Sequence, residues 1–478
     1  EQASIALNQY LYSRVLSLYF NKELLYSIGK NSSICYPLPS VWRKNLTQHG
    51  FKVNNPICSF QWGVFVALFF ATGILNVLSI FWYSFIGVFS FKNKKKQPYA
   101  YFNKLTPANV PNHNFISHTT IIDWYLEWND SNKSIKSVHH GVKLRQDIKI
   151  RDIDIKYAPL FKKGFDNLSS IVFFINWLIV ALFICFKDIL FLRWHNLLLF
   201  NQFVFAAKVR YTPEHAIAKD YLFSLSNYVY RPIWTYEAEE LGARVIFYFY
   251  ATNVEEFKKE AGYIKTTNGW QLANWNYVLA WDDYQKDFVR RTFYSYDQIS
   301  TVGKINFVDS SQELILRLNK EKIAAVFDVQ PHRASRFQIL GAKTTYYDSN
   351  VAIQFLSDIY QVLSVHRITL AHKRKREIGN VLHPNYKKTI NLLGKKIYYK
   401  SVDPGIVADD VISQVDFVIS MPFTSVALLA QYQDKPSIYY DPFGDVQKDD
   451  RAAHGIPVIV GIDELRTWVN NIVKDATH

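Results

Sequence analysis

Cysteine is scarce in this chain, and the motifs of several common enzyme classes are missing. The three cysteines among 478 residues, Cys35, Cys58 and Cys185, have no metal-binding spacing and cannot all pair in disulfides. The sequence contains neither a GxGxxG dinucleotide fingerprint nor a P-loop. Asp282-Asp283 comes nearest to a metal-binding carboxylate pair, but an exposed turn explains it better. We therefore expect a protein of a reducing compartment that uses no metal and no organic cofactor.

Acidic residues are outnumbered by basic ones, with 41 Asp+Glu against 55 Lys+Arg and a net charge of +14. Such an excess indicates anionic partners, which include nucleotides, phospholipid head groups and nucleic acid. The basic residues gather beside apolar segments and at the ends of predicted strands. This clustering argues against a nucleic-acid partner.

Charge is absent from two long apolar segments. The segments from Asn55 to Phe91 and from Asn167 to Phe186 contain no charged residue, and each reaches the ~20 residues that a membrane-spanning helix requires. Buried core helices are the alternative for both. The segment between them, 92–165, is rich in Lys and Arg, and short basic segments stay on the cytoplasmic side of a membrane. We therefore expect shallow or re-entrant insertion, with the flanking parts of the chain in the cytosol.

The rest of the chain alternates strand-like and helix-like segments, which is typical of an α/β protein with parallel sheets. We predict two Rossmann-like lobes. Predicted strands of the first lobe include His113 to Ser117, Ile121 to Leu126 and Ser137 to His140, and the second lobe begins with the strand Ile323 to Asp328. The predicted domains are an N-terminal helical segment (1–56), a membrane-inserted helix or hairpin (57–91), a first lobe (92–308) with an apolar insertion (167–205), a linker (309–322) and a second lobe (323–478).

The segment from Val415 to Pro442 is the most informative part of the second lobe. It predicts a buried strand, a tight turn at Met421-Pro422-Phe423 and a helix that begins at Thr424-Ser425. The first turn of a helix carries free backbone N–H groups, so two hydroxyls placed there at the carboxyl end of a strand predict a phosphate site. An ordinary N-cap is the alternative for this Ser/Thr pair.

The motif Pro422-Phe423-Thr424-Ser425 also carries a family resemblance. Together with AVFDVQPHR at 325–333, HKRKR at 372–376, YYDPFGD at 439–445 and HGIPVIVGIDEL at 454–465, it resembles the bacterial polysaccharide-biosynthesis proteins named for their PFTS motif. More loosely, this part of the chain is similar to the nucleotide-binding half of GT-B glycosyltransferases and of CDP-glycerol glycerophosphotransferases. The resemblance implies a GT-B-like pair of lobes, with a nucleotide-linked donor bound by the second.

Basic residues follow two predicted strands of the second lobe, at the edge where ligands of such sheets bind. A solvated face is the alternative for this charge run, but Lys and Arg at that edge would neutralise a leaving nucleotide. Two carboxylates on the same rim could accept hydrogen bonds from ribose hydroxyls, or could instead cap a helix or form a turn. The predicted donor-binding residues are thus Thr424, Ser425, Lys373, Arg374, His332, Arg333, Asp403 and Asp441.

The run SVHHGVKLRQ at 137–146 is the notable segment of the first lobe. It is similar to the strand-end His-Gly of the glycerophosphotransferases, where the histidine lies in the cleft that faces the donor. Transfer to a hydroxyl requires a base with a pKa near neutrality, which histidine provides. The resemblance therefore implies His140, or else His139, as the base. A purely structural pair at the end of a strand is the alternative.

These residues lead us to expect a metal-independent, membrane-associated glycosyltransferase of the GT-B type. It would move a sugar from a CMP- or UDP-linked donor to a glycan or lipid-linked acceptor, at the cytoplasmic face of a bacterial inner membrane, in the synthesis of surface polysaccharide. The expected partners are the nucleotide sugar, the acceptor and membrane lipids, and not nucleic acid. Two alternatives stay open: a polyol-phosphate transferase, and a non-catalytic membrane scaffold in a polysaccharide assembly complex.

Overall fold

A computed structural model of the chain contains two β-sheets, one formed by its first half and one by its second. The first sheet has eight strands and the second has six. This arrangement confirms the α/β class and the two sheet-based lobes. The structure describes residues 2–15, 18–89, 97–103, 105, 121–129, 135–143, 148–150, 152–161, 164–224, 231–252, 257–263, 270–305, 316, 321–332, 346–375 and 377–475.

The described part of the chain begins with four helices. The longest of them is a single continuous helix over the first apolar segment, rather than a hairpin. The short third helix ends at Gln48, and Arg43 within it donates a hydrogen bond of 3.0 Å to the carbonyl of Asn55, where the long helix begins. The four helices are α1 (Gln2–Val15), α2 (Leu18–Lys30), α3 (Ser40–Gln48) and α4 (Asn55–Phe89).

The first sheet is parallel except at one edge. Its strands are β1 (Tyr99–Phe102), β2 (Ser137–His140), β3 (Ile148–Ile150), β4 (Ile153–Tyr157), β5 (Asp220–Ser224), β6 (Arg244–Tyr248), β7 (Tyr277–Ala280) and β8 (Gln298–Thr301). They lie in the order β3-β4-β2-β1-β5-β6-β7-β8, and the only antiparallel pair among these described strands is β3 with β4. Parallel pairing brings the carboxyl ends of the central strands to one edge.

One predicted strand of this lobe is wrong. The segment from Ile121 to Leu126 belongs to a helix, α5 (Ile121–Trp128). Its first six residues are all buried, including Asp123, so the helix is enclosed on every side. A short apolar run without a clear period does not distinguish a buried strand from a buried helix. The predicted strand from His113 to Ser117 lies outside the described residues.

Two further helices, α6 (Leu168–Leu190) and α7 (His195–Arg210), pack beside α4, and α8 (Trp234–Glu240) packs against α7. The helices α4 and α7 run side by side in the same direction, since Trp62 contacts Trp194 at one end and Asn76 donates a hydrogen bond of 2.7 Å to Asn201 further along. They approach closely at Gly73, where a Cβ atom would lie 2.4 Å from the Phe200 ring. The long helix α4 therefore lies along the side of the first lobe.

The two apolar helices are largely exposed. By length and composition, α4 over Asn55–Gly87 and α6 over Leu168–Leu190 are both able to cross a membrane, and only 22% and 17% of their most apolar windows are buried. Large apolar side chains such as Phe60 and Trp82 of α4 and Phe183 of α6 are more than half exposed. Neither helix is therefore an ordinary buried core helix.

The second sheet is entirely parallel, in the order β11-β10-β9-β12-β13-β14. Its strands are β9 (Ile323–Phe327), β10 (Thr369–Lys373), β11 (Tyr399–Val402), β12 (Phe417–Ser420), β13 (Ser437–Asp441) and β14 (Val458–Val460). The first of them matches the predicted strand Ile323 to Asp328 to within one residue. The predicted linker at 309–322 lies mostly outside the described residues. The remaining helices are α9 (Asp283–Thr292), α10 (Ser349–Val365), α11 (Pro384–Leu393), α12 (Ala408–Ser413), α13 (Ser425–Gln431) and α14 (Gly461–Asp475).

Candidate functional site

The carboxyl ends of three neighbouring strands form the floor of the candidate site. Phe327 of β9 pairs with Lys373 of β10 on one side and with Ser420 of β12 on the other. This register places Asp328, Arg374 and the PFTS turn next to one another at one edge of the sheet. The edge is the one at which open α/β sheets bind ligands.

Three buried side-chain oxygen atoms at this edge have no hydrogen-bond partner in the described part of the chain. They are the hydroxyl oxygens of Ser420 and Thr424 and the Oδ1 atom of Asp328. Nearly all buried polar groups in folded proteins are hydrogen-bonded, because an unsatisfied one costs about 1–3 kcal/mol. Three such atoms on adjacent strand ends indicate a site that is completed by a polar ligand.

The two hydroxyls of the PFTS motif have different roles. Thr424 occupies the N-cap position of α13, but its side chain caps no backbone N–H of that helix. Ser425 instead contacts the first lobe, since its hydroxyl oxygen lies 3.0 Å from the backbone nitrogen of Thr252 and 3.1 Å from the Thr252 hydroxyl. The Thr424 hydroxyl thus has no partner among the described residues, while Ser425 joins the two lobes.

Lys373 is a buried cation at the same edge. It is only 6% exposed, and its ammonium donates two long hydrogen bonds, each of 3.3 Å, to the carbonyls of Arg374 and Pro404. Burial lowers the pKa of Lys373, and the nearby Asp403 carboxylate opposes that shift. The Arg374 guanidinium lies 3.1 Å from Glu377. The two carbonyls carry only partial negative charge, whereas a phosphate would supply a full counter-charge to the Lys373 ammonium.

A buried polar network lies directly behind these residues. His372 places its Nδ1 atom 2.7 Å from the Tyr399 hydroxyl and its Nε2 atom 3.1 Å from Asp328 Oδ2, and Tyr386 donates a hydrogen bond to the same carboxylate oxygen. The carboxylate and the burial of Tyr386 hold the pKa of that phenol well above its usual value. The network therefore fixes the position of Asp328 through Oδ2 and leaves its Oδ1 atom without a partner among the described residues.

The other predicted donor-binding residues of the second lobe are Asp403, Asp441, His332 and Arg333. Asp403 accepts a hydrogen bond of 2.6 Å from the backbone of Gly405 within a turn. Asp441 is fully buried and accepts hydrogen bonds from the backbone of Phe443 and Val446, while its burial raises its pKa. His332 forms an isolated β-bridge with Leu382, and Arg333 lies outside the described residues.

The two histidines of the first lobe point to opposite faces of the sheet, as successive residues of a strand must. His139 stacks on Tyr99, with ring centroids 4.3 Å apart, and lines a cavity of about 100 Å³ beneath α7. His140 is completely buried on the other face, and its Nδ1 atom accepts a hydrogen bond of 3.2 Å from the backbone of Val142. Its Nε2 atom therefore carries the proton of the neutral ring, and burial lowers the pKa of His140.

Asp282 is not part of an exposed turn, contrary to the sequence-based prediction. Its carboxylate caps α9 by accepting a hydrogen bond of 2.8 Å from the backbone of Gln285. The other carboxylate oxygen lies 2.6 Å from Nδ1 of His454, which belongs to the second lobe. Asp282 is therefore a lobe-to-lobe contact, and within the described ranges no three His, Cys, Asp or Glu side chains converge in a group suited to a metal ion.

Several solved structures are similar to this chain. The wall teichoic acid polymerase TagF is 9% identical, with a TM-score of 0.42 over 85% of this chain and 89% of its own. The Anabaena protein Alr3699/HepE, solved in complex with UDP-glucose, is 11% identical, with a TM-score of 0.41 over 79% of this chain and 90% of its own. The UDP-GlcNAc 2-epimerase of Methanocaldococcus jannaschii is 8% identical, with a TM-score of 0.39 over 80% and 92%.

The sequence comparisons address the family directly. A search of curated proteins returns no match. The family described as "Polysaccharide biosynthesis PFTS motif protein" matches residues 177–469, which include the whole second sheet and the Thr424-Ser425 pair. The chain belongs to this polysaccharide-biosynthesis family.

Proposed function

We propose that the protein is a membrane-associated glycosyltransferase of the GT-B type, which moves a sugar from a nucleotide-linked donor to a glycan or lipid-linked acceptor in bacterial surface polysaccharide synthesis. One observation carries the proposal. The buried hydroxyls of Ser420 and Thr424 have no partner among the described residues, and the buried cation Lys373 lies on the same strand-end edge. Hydroxyl donors beside a cation are the groups that bind a phosphate.

The donor phosphate would occupy this edge of the second lobe. Cleavage of a bond between a sugar and a nucleotide diphosphate or monophosphate leaves negative charge on the phosphate. Lys373 and Arg374 would stabilise that charge as it grows, in a site where water is excluded and electrostatic interactions are strong. Asp328, held in place by His372 and Tyr386, offers a carboxylate oxygen to a hydroxyl of the donor.

The acceptor hydroxyl would lose its proton to a base in the first lobe. His140 lies at the carboxyl end of β2, and its lowered pKa keeps the ring neutral at physiological pH. The neutral ring is the form that accepts a proton. Because Nε2 carries the proton while Nδ1 accepts from the Val142 backbone, Nε2 can act as the base only after the ring changes to the Nδ1–H tautomer and the hydrogen bond from Val142 is lost.

The membrane part of the proposal rests on α4 and α6. Both are long, apolar and largely exposed, and α4 lies along the lobe rather than projecting from it. Shallow insertion, with both lobes at the cytoplasmic face, would cover this apolar surface without passing a lobe through the bilayer. A high-salt wash should therefore leave the protein in membranes, whereas detergent should release it. Release by salt alone would contradict this part of the proposal.

A nucleotide screen tests the catalytic class. CMP, CDP, UDP and GDP compounds are added to detergent-solubilised protein, and the thermal unfolding midpoint is recorded. We expect CMP- or UDP-linked ligands to raise the midpoint, because a ligand that binds only the folded state stabilises it. Selective stabilisation by a CDP-linked polyol would favour the polyol-phosphate transferase. No stabilisation by any compound would favour the scaffold.

A further inference from the structure

A long cavity lies between α6 and α7, away from the candidate donor site. It has a volume of about 360 Å³, and Ala181 and Cys185 of α6 and Phe203 and Ala207 of α7 contribute to its walls. The wall residues of α6 recur at helical spacing, so one face of that helix lines the cavity. Small side chains on both helices keep the space between them open.

The shape of this cavity matches a chain rather than a compact ligand. Asn196 and Arg210 both line it and are fourteen residues apart on α7, or about 21 Å at 1.5 Å per residue. Val180 and Ile184 form part of its wall and are also exposed, with 58% and 43% of their surface accessible. The cavity is therefore continuous with the exposed apolar surface of α6.

The end of the cavity at Arg210 is polar. The guanidinium of Arg210 donates hydrogen bonds of 2.7 and 2.5 Å to the two carboxylate oxygens of Glu237, yet the Arg210 side chain stays 56% exposed. A second cavity of about 430 Å³ shares Gln2, Arg210 and Glu237 with the first and adds Glu240 to its lining. One guanidinium and two carboxylates suit a head group that carries both an anionic and a cationic group.

We propose that this pair of cavities binds one membrane phospholipid with a zwitterionic head. One hydrocarbon chain lies between α6 and α7, the phosphate approaches the exposed guanidinium of Arg210, and the ammonium approaches Glu240. The inference rests on the proposed membrane association, which brings α6 into contact with lipid. The bound lipid would in turn fill the gap between α6 and α7.

Photo-crosslinking from vesicles tests this site. The full chain is bound to vesicles of a zwitterionic phosphatidylethanolamine that carries a diazirine in its acyl chain, is irradiated, and is digested for mass spectrometry. We expect labels on residues that line the cavity, such as Ala181 and Phe203, as well as on exposed residues such as Phe183. Labels on exposed residues alone would overturn the lipid site while leaving membrane association intact. Failure to bind vesicles at all would contradict the membrane proposal itself.

A matched pair of variants and a second lipid serve as controls for this experiment. Ala181→Phe places a ring in the cavity and should remove the label from Phe203, while Ala71→Phe, at an exposed position of α4, should not. Circular dichroism checks that both variants fold. If Ala181→Phe does not fold, the labelling of the unmodified chain still decides the question. Equal labelling of the cavity by an anionic phosphatidylglycerol with the same diazirine chain would overturn the zwitterionic head.

Discussion

Thr252 of the first lobe and Ser425 of the second are joined by two short contacts, from the backbone nitrogen and the hydroxyl of Thr252 to the hydroxyl oxygen of Ser425. The neighbouring hydroxyl of Thr424 is buried and meets no partner in the described ranges. Two adjacent residues of one motif therefore have separable functions. Ser425 contacts the other lobe, and we propose that Thr424 contacts the donor.

Thr424→Val should weaken nucleotide binding without weakening the fold. The substitution replaces a buried hydroxyl that has no partner among the described residues with a methyl group of similar size, so the free energy of unfolding should stay the same or rise slightly. Loss of a hydrogen bond to a charged phosphate should cost about 1.5–3 kcal/mol, or roughly tenfold to a hundredfold in affinity. Calorimetric titration with the best nucleotide of the screen measures the loss. Unchanged affinity would return Thr424 to a structural role.

Ser425→Ala should weaken the fold and leave nucleotide binding largely unchanged. The backbone N–H of Thr252 would lose its acceptor, which should lower the free energy of unfolding by about 1 kcal/mol. Nucleotide affinity should change much less than in Thr424→Val. Urea unfolding followed by tryptophan fluorescence, alongside the same titration, compares the two variants. Equal losses of nucleotide affinity would place both hydroxyls on the donor.

The network behind the site makes a prediction about stability. Tyr386→Phe removes the hydroxyl that donates to Asp328, while His372 remains 3.1 Å from the same carboxylate oxygen. A buried carboxylate that loses a donor should destabilise the fold by about 1–3 kcal/mol. Tyr19→Phe, at a position that is 77% exposed, is the control and should have almost no effect. Equal denaturation midpoints for the two variants would show that the Tyr386 hydroxyl adds nothing to stability.

The second lobe was more predictable than the first, for a physical reason. Its strands are short apolar runs, such as Phe417–Ser420, that are buried on both faces and bounded by turns, so length and composition identify them. The first lobe contains strands such as Tyr99–Phe102, an aromatic run at the end of a basic segment, and the enclosed helix Ile121–Trp128. Local composition does not distinguish such a strand from such a helix, because packing in the folded protein determines which of the two forms.

The candidate site was only partly predictable as well. Thr424 and Lys373 could be predicted because Thr424 begins a predicted helix after a tight turn and Lys373 directly follows a predicted strand. Tyr386 and Tyr399 could not, since they reach Asp328 and His372 only through the register of the folded sheet and the docking of α11. Thr252 likewise belongs to the other lobe, and no local pattern links it to Ser425. Long-range contacts of this kind leave no periodic signal in a single sequence.

His140 should make stability depend on pH. Burial holds the pKa of His140 below its usual value near 6.5, so the unfolded chain binds a proton at a higher pH than the folded chain does. The stabilisation from a neutral His140 is thus complete above pH ~6.5 and is lost as the pH falls toward the folded-state pKa, by at most about 1.4 kcal/mol per pH unit. Urea unfolding of wild type and His140→Gln between about pH 7.5 and 5.5 measures the effect. If the free energies of unfolding of the two proteins changed with pH in parallel, this prediction would be contradicted.

His140→Ala should slow the chemical step while donor binding changes little. Proton transfer by a positioned base contributes about 10²–10⁴-fold to a rate, and the donor phosphate is bound by the other lobe. Single-turnover transfer of a radiolabelled sugar measures the step, and titration with nucleotide measures the binding. His139→Ala is the matched control, because His139 stacks on Tyr99 on the opposite face of the same strand.

The wild-type rate should also rise with pH through a pKa below 6.5, and this rise should disappear in His140→Ala. Normal turnover in His140→Ala would exclude His140 as the base. A loss of rate in His139→Ala alone would assign that role to His139, which lines the cavity beneath α7.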